Sequence, residues 1–210
     1  MSEIHFMTGI ASTGKSTRML YVVEMLKSRY SFVELIESHY MSKKDIYKDF
    51  SVGLYFEEVN TLALGRTAKI RNDNDRWTSF DGLATYGLRM NEIDNIIKQH
   101  NDKIIISEGN IDYSPNRKLP NHLHTLGFDK VFCYCLMFDE FETFFERLNE
   151  RRVLSGRTPV TMEFAVNKFN NQNSTKKFIE RFDNEKLSAD KVFEISASSP
   201  VDSFYNKIGK

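Results

Sequence analysis

Gly9-Ile10-Ala11-Ser12-Thr13-Gly14-Lys15-Ser16-Thr17 decides how this chain is read, because the G-x-x-x-x-G-K-S spacing builds an anion cradle. The glycines let the main chain curl so that successive N–H groups point inward at phosphate oxygens. Lys15 reaches β- and γ-phosphates as a mobile point charge, and Ser16 offers a hydroxyl to Mg²⁺. Gly9, Ser12, Thr13, Gly14, Lys15, Ser16 and Thr17 are therefore the candidate contacts to a triphosphate. A helix following the loop adds its positive end.

The flanks have the context that such a loop requires. Ile4-His5-Phe6-Met7 predicts a buried strand opening directly into the loop, and residues 16–28 predict a helix with Met19, Leu20, Val22, Val23 and Leu26 on one face. Further strands are expected at Ser31–Glu37, Val52–Phe56, Lys103–Gly109, Val131–Phe138 and Lys191–Ile195. The run Ile104-Ile105-Ile106 suits a parallel strand covered on both faces. Helices are expected over 83–99, from Phe141 to a break at Ser155–Pro159, over 162–169, over 175–187 and over 201–208. Residues 42–50 read as helix or loop. Residues 65–82, with Gly65, Arg66, Lys69, Arg71, Asp73, Asp75, Arg76, Trp77 and Asp81, read as a functional loop. The alternation predicts an α/β fold, a parallel sheet of about five strands with helices on both faces. One domain over 1–210 is the economical reading, with an acceptor-binding insertion over about 40–82 and an arginine-bearing lid over about 147–175.

Composition narrows the function classes. Lys plus Arg and Asp plus Glu are 29 each, so no global basic field exists to capture nucleic acid, although a local groove stays open. No apolar run is long enough to cross a bilayer, and Met1-Ser2-Glu3 leads at once into the first strand. A cytosolic protein without a membrane partner is the expectation; a homodimer stays open. Cys133 and Cys135 sit in an apolar run and read as buried small hydrophobes, since structural zinc wants four ligands. His122 and His124 form an H-x-H in an expected loop with no carboxylate at a suggestive spacing.

In a fold of this kind ligands bind outside the carboxyl ends of the strands. The loop, Glu37 and Glu108 are each expected there. Glu108 follows the isoleucine strand and is a candidate for Mg²⁺ or for orienting an acceptor, with Glu37 as the rival general base. Arg147 and Arg151 lie four residues apart on one helix, with Arg152 beside them and Arg157 in the break. They are expected either to fold over ATP or to form a solvated face paired with Glu146 and Glu150. Arg66, Arg76, Trp77 and Asp81 are the acceptor-side candidates. Trp77 either stacks on a base or anchors a satellite core.

The order of strand, G-x-x-x-x-G-K-S, helix, strand-end glutamate, apolar strand with Glu108-Gly109, and Arg-bearing helix resembles the nucleoside and nucleotide kinase branch of the P-loop NTPases, nearest the thymidylate-kinase-like enzymes. The resemblance implies ATP and Mg²⁺ as cofactors. Ser107-Glu108-Gly109-Asn110 stands where thymidylate kinases carry Asp-Arg-Tyr/Phe. Asp75-Arg76-Trp77-Thr78-Ser79-Phe80-Asp81 with Ser107-Glu108-Gly109 is similar to phage-encoded kinases that phosphorylate 5-hydroxymethyluracil within DNA. That likeness implies a DNA-borne pyrimidine acceptor extruded from its stack, in the host cytoplasm. Free nucleosides or nucleoside monophosphates are the rival acceptors. A non-catalytic nucleotide-binding module is a second class. A GTPase switch is disfavoured, because Asn167-Lys168-Phe169-Asn170 lacks the aspartate of an N-K-x-D base reader.

Overall fold

The computed structural model describes residues 2–41, 46–69, 75–79, 83, 88–109 and 120–203. In chain order the strands are β1 (Glu3–Gly9), β2 (Val33–Met41), β3 (Ile46–Phe56), β4 (Thr61–Leu64), β5 (Arg66–Lys69), β6 (Asp75–Thr78), β7 (Ile104–Glu108), β8 (Lys130–Met137) and β9 (Lys191–Ser196). The helices are α1 (Lys15–Lys27), α2 (Met90–Gln99), α3 (Asn121–Thr125), α4 (Phe141–Leu154), α5 (Met162–Asn170) and α6 (Gln172–Glu185).

The central sheet has seven strands in the order β2-β3-β4-β7-β1-β8-β9. β4, β7, β1, β8 and β9 run parallel, and β2 and β3 add an antiparallel hairpin at one edge. The class is thus α/β with a mostly parallel sheet, larger than the expected five strands. Alternation along the central strands separates two cores. Ile4 and Phe6 of β1, with Cys133 and Cys135 of β8, face Ile93, Ile96 and Ile97 of α2 and Phe178, Ile179 and Phe182 of α6. Met7, Tyr134 and Leu136 face Met19, Val22, Val23 and Leu26 of α1 on the other side. The isoleucine run divides accordingly, Ile105 to the first core and Ile106 to the second. A third cluster of Phe138, Phe144, Leu148, Ala165 and Ala197, with Phe141, Phe145, Val160 and Phe169 packed on it, holds α4 against α5.

Several sequence expectations are corrected. The Ser31–Glu37 strand belongs to the antiparallel edge rather than to the parallel core, and residues from Ile46 onward are strand rather than helix or loop. Within 65–82, β5 and β6 pair as a separate antiparallel ribbon instead of a loop. β4 was not anticipated; its four residues are all buried, too short a run to show periodicity. His122 and His124 lie on α3, not in a loop, and pair with different carboxylates, Asp94 at 3.2 Å and Asp190 at 2.8 Å. Residues two apart on a helix point to different sides, and among the described residues no cluster of three or more His, Cys, Asp or Glu can hold a metal. The expected helix over 83–99 is α2 from Met90 onward, residues 84–87 lying outside the described set. Val201–Ser203 forms a 3-10 turn where the closing helix was expected, and residues 204–210 are likewise outside. Cys133 and Cys135 are buried free thiols, with burial pushing Cys133 well above its ordinary range. No described helix is long and apolar enough to cross a membrane.

Candidate active site

β1 lies between β7 and β8 in the sheet, so the segments that follow these strands converge at one edge. They enclose a cleft of about 1150 Å³. The Gly9–Thr17 loop enters it from β1, Glu108 from β7, α4 after β8, and Ala197, Ser199 and Val201 after β9.

The loop is held in a tight curl. At Gly9, with φ +150°, an added Cβ would meet the Leu136 carbonyl oxygen at 2.5 Å, so only glycine fits. Gly14 occupies the left-handed region at φ 85° and caps α1. Ser12 is left-handed too, at φ 67°, a conformation that strains a residue with a Cβ by about 1–3 kcal/mol. Its hydroxyl oxygen is buried with no hydrogen-bond partner among the described residues. Thr13 Oγ1 donates to the Ile10 carbonyl at 2.9 Å, closing the turn from within. Lys15 Nζ donates to the carbonyl oxygens of Gly9 (2.7 Å) and Ile10 (3.1 Å), which fixes the ammonium at the loop. Gly9, Ser12, Gly14, Lys15, Ser16 and Thr17 line the cleft, and Thr13 is fully buried beneath them.

Arg18 completes this wall. It is 3 % exposed. It donates to the Thr13 carbonyl (3.1 Å) and to the carbonyls of Ala197 (3.3 Å) and Ser199 (2.7 Å), which ties the loop to the segment after β9. Burial, then the nearby Arg147, lowers its proton affinity. Sequence reading passed over Arg18, yet a signal existed. It shares the α1 face of Met19, Val22, Val23 and Leu26, a core position where an arginine is out of place unless it has polar partners.

Glu108 stands at the carboxyl end of β7, in register with Met7 of β1 and 2 % exposed. Its Oε1 accepts the Ser79 N–H at 3.3 Å, and its own N–H donates to Ser79 Oγ at 3.1 Å. Both Glu108 and Ser16 line the cleft. A hydroxyl and a carboxylate are hard oxygen donors that suit Mg²⁺, which takes one or two carboxylates and completes its shell with phosphate and water.

Glu37 is not brought to this edge. It lies on β2, separated from β1 by three strands, roughly 19 Å at the usual strand spacing. Its Oε1 meets His100 Nε2 at 3.3 Å instead.

The arginines of α4 and of the segment after it reach the cleft. Arg147, Arg151, Arg152 and Arg157 line it along with Lys168 of α5. Arg147 donates to the Ala197 carbonyl at 2.7 Å and lies over the Phe138 ring at 5.7 Å. Arg152 Nε turns to the Thr158 carbonyl at 2.6 Å, stitching α4 to the segment that follows it. Among the described residues, Lys15, Arg18, Arg76, Arg147, Arg151, Arg152, Arg157 and Lys168 stand against two carboxylates, Glu108 and Glu150. A chain with no net charge therefore concentrates positive charge at one concave surface, where it attracts polyanions most strongly.

The β5–β6 ribbon, where the acceptor-side candidates lie, separates core from cleft by its period of two. Trp77 faces inward at 1 % exposure, donates Nε1–H to the Leu64 carbonyl at 2.9 Å and packs in the α1-side core. It is the core anchor, not a surface for a base. Arg76 and Thr78, on the opposite face, line the cleft. Arg66 pairs across from Thr78 and so shares their face. Asp81, Arg71 and Asp73 lie outside the described residues.

Compared with family models and with curated proteins, the chain matches none.

Proposed function

We propose that this chain is an ATP- and Mg²⁺-dependent kinase of the P-loop type. The observation that carries the proposal is the Ser12 hydroxyl, buried and without a partner among the described residues on a strained main chain, in a loop that shares one basic cleft with the buried carboxylate of Glu108. Strain of this kind persists where function needs it, and a phosphate oxygen supplies what the hydroxyl and the loop N–H groups want. Two other candidate roles fit the same cleft. Arg147 and Arg151 sit where positive charge offsets the charge on a transferring phosphoryl group, and Arg76 and Thr78 face the side left for the acceptor.

In the proposed reaction an acceptor hydroxyl oxygen forms a bond to the γ-phosphorus as the bond to the ADP oxygen breaks. The hydroxyl proton passes to the Glu108 carboxylate or to water oriented by it. Phosphoryl transfer needs positioning and charge stabilisation more than covalent help, and the residues of the cleft are of that kind. Ser16 and, as the alternative role to proton acceptor, Glu108 would hold Mg²⁺, which would supply charge neutralisation at the phosphates.

The acceptor we favour is a pyrimidine nucleotide carrying a free hydroxyl, with the hydroxymethyl group of 5-hydroxymethyluracil in DNA as the specific candidate. Trp77 contributes no stacking surface to it, so recognition falls to the Arg76 and Thr78 face. The test offers γ-labelled ATP with deoxynucleosides, their monophosphates, and DNA with or without hydroxymethylated pyrimidines. Label transferred to one class identifies the acceptor. A DNA acceptor also makes KM rise steeply with salt, because phosphate contacts release counterions. ATP bound with no label transferred to any of these would favour the non-catalytic module.

A further inference from the structure

We infer that Ser79 is a positioning residue for Glu108: its main-chain N–H holds the carboxylate, and its hydroxyl oxygen, accepting the Glu108 N–H, fixes the strand end that carries it. The inference rests on the kinase reading for its catalytic consequence, but the geometry stands by itself. Ser79 is fully buried and follows directly on the last residue of β6. It contacts Glu108 twice, its N–H to the carboxylate and its Oγ to the Glu108 N–H. The two bonds form a closed ring between the end of β6 and the end of β7.

The ring matters because of what β5–β6 is. The ribbon is not part of the seven-stranded sheet; the two ladders are separate. Trp77 fixes one side of the ribbon in the core, and Arg76 and Thr78 present the other to the cleft. Ser79 is thus the point at which the acceptor-facing ribbon grips the strand carrying the carboxylate. A carboxylate on the last residue of a strand has rotamers to choose among. A bond to its oxygen, from a group whose own oxygen pins the same residue's amide, selects one. A displacement of about 1 Å in such a group is enough to reduce a rate about 100-fold. The Ser79 carbonyl also accepts the Leu83 N–H at 3.0 Å, so removing the hydroxyl leaves the turn after β6 closed while the Glu108 end of β7 loses the acceptor that anchors its N–H.

The experiment compares wild type, Ser79→Ala and Ser79→Thr by steady-state kinetics, by calorimetric affinity for ATP, and by hydrogen exchange at the Glu108 amide. Ser79→Ala is expected to reduce kcat about 100-fold, with KM for ATP within about twofold and the Glu108 amide exchanging about tenfold faster. Ser79→Thr keeps the hydroxyl and is expected to restore most of kcat and the slow exchange. A merely structural serine would alter stability without separating kcat from ATP affinity. Wild type that turns over alongside Ser79→Ala with unchanged kcat overturns this inference and leaves the kinase reading intact. Unchanged amide exchange in Ser79→Ala overturns it whatever the turnover. Wild type that transfers phosphate to none of the acceptors refutes the kinase reading, and the catalytic part of the inference falls with it.

Discussion

Replacing Trp77 separates its two readings most sharply. The indole is 1 % exposed among Met7, Met19, Val22, Val23, Leu54, Phe56, Ala63 and Ile106, and its N–H donates to the Leu64 carbonyl at 2.9 Å. Trp77→Phe keeps a ring but leaves that carbonyl without its donor, a loss of about 1–3 kcal/mol. Trp77→Ala also empties the site and should cost about 3–5 kcal/mol. In a domain of this size each kcal/mol moves Tm by about 2–4 °C, so the alanine variant should melt about 6–20 °C lower. Urea and thermal unfolding followed by far-UV circular dichroism measure this, since Trp77 is the sole tryptophan and its fluorescence disappears with it. The phenylalanine variant, if folded, should keep its acceptor KM. Wild-type stability in Trp77→Ala together with a raised acceptor KM would refute the reasoning and return the indole to a stacking role.

Three further outcomes are expected. Lys15→Ala should reduce turnover by about 10²–10³-fold or more while folding is largely kept, because the ammonium acts on phosphate charge; labelled-ATP turnover beside a thermal melt checks both, and a fully active variant contradicts the role. Glu108→Gln should lower kcat more than ATP affinity, as expected of a group whose contribution is made in the transition state; an unchanged kcat removes it from the site. Glu3 is held below its ordinary 4.5, first by the hydrogen bond from His5, with burial opposing. Its contribution to stability is therefore complete above about pH 4.5 and is lost as pH falls through the lower folded value. Glu3→Gln should flatten that acid limb in urea midpoints taken across pH, and an unaltered limb would contradict the assignment.

What was legible in the sequence follows physical rules of range. The loop is legible because its chemistry is local: Gly9 and Gly14 meet backbone demands set within a few residues, and Lys15 and Ser16 follow at fixed spacing. The buried strands were legible from Ile104–Ile106 and from the Cys133–Leu136 run. Strand order is set by partners far along the chain, so Glu37 read as a strand-end carboxylate beside the loop and proved to lie within β2, with three strands between it and β1. The β5–β6 ribbon hid for another reason: its strands, Arg66–Lys69 and Asp75–Thr78, are four residues each and mostly polar, too short for alternation to register. Trp77 therefore stayed open between a stacking surface and a core anchor, although every second residue of its strand turns inward. Ser79 stands in a stretch that the sequence singled out, but its bond to Glu108, 29 residues away, leaves no local signal.

The claim on which the account turns is that the Gly9–Thr17 loop grips a triphosphate. Calorimetric titration of the folded protein with ATP in the presence of Mg²⁺ tests it directly. Saturable binding at one site is expected, at Kd below about 1 mM, with Lys15→Ala markedly weaker. Well-folded protein that takes up neither ATP nor GTP at millimolar concentration would contradict it.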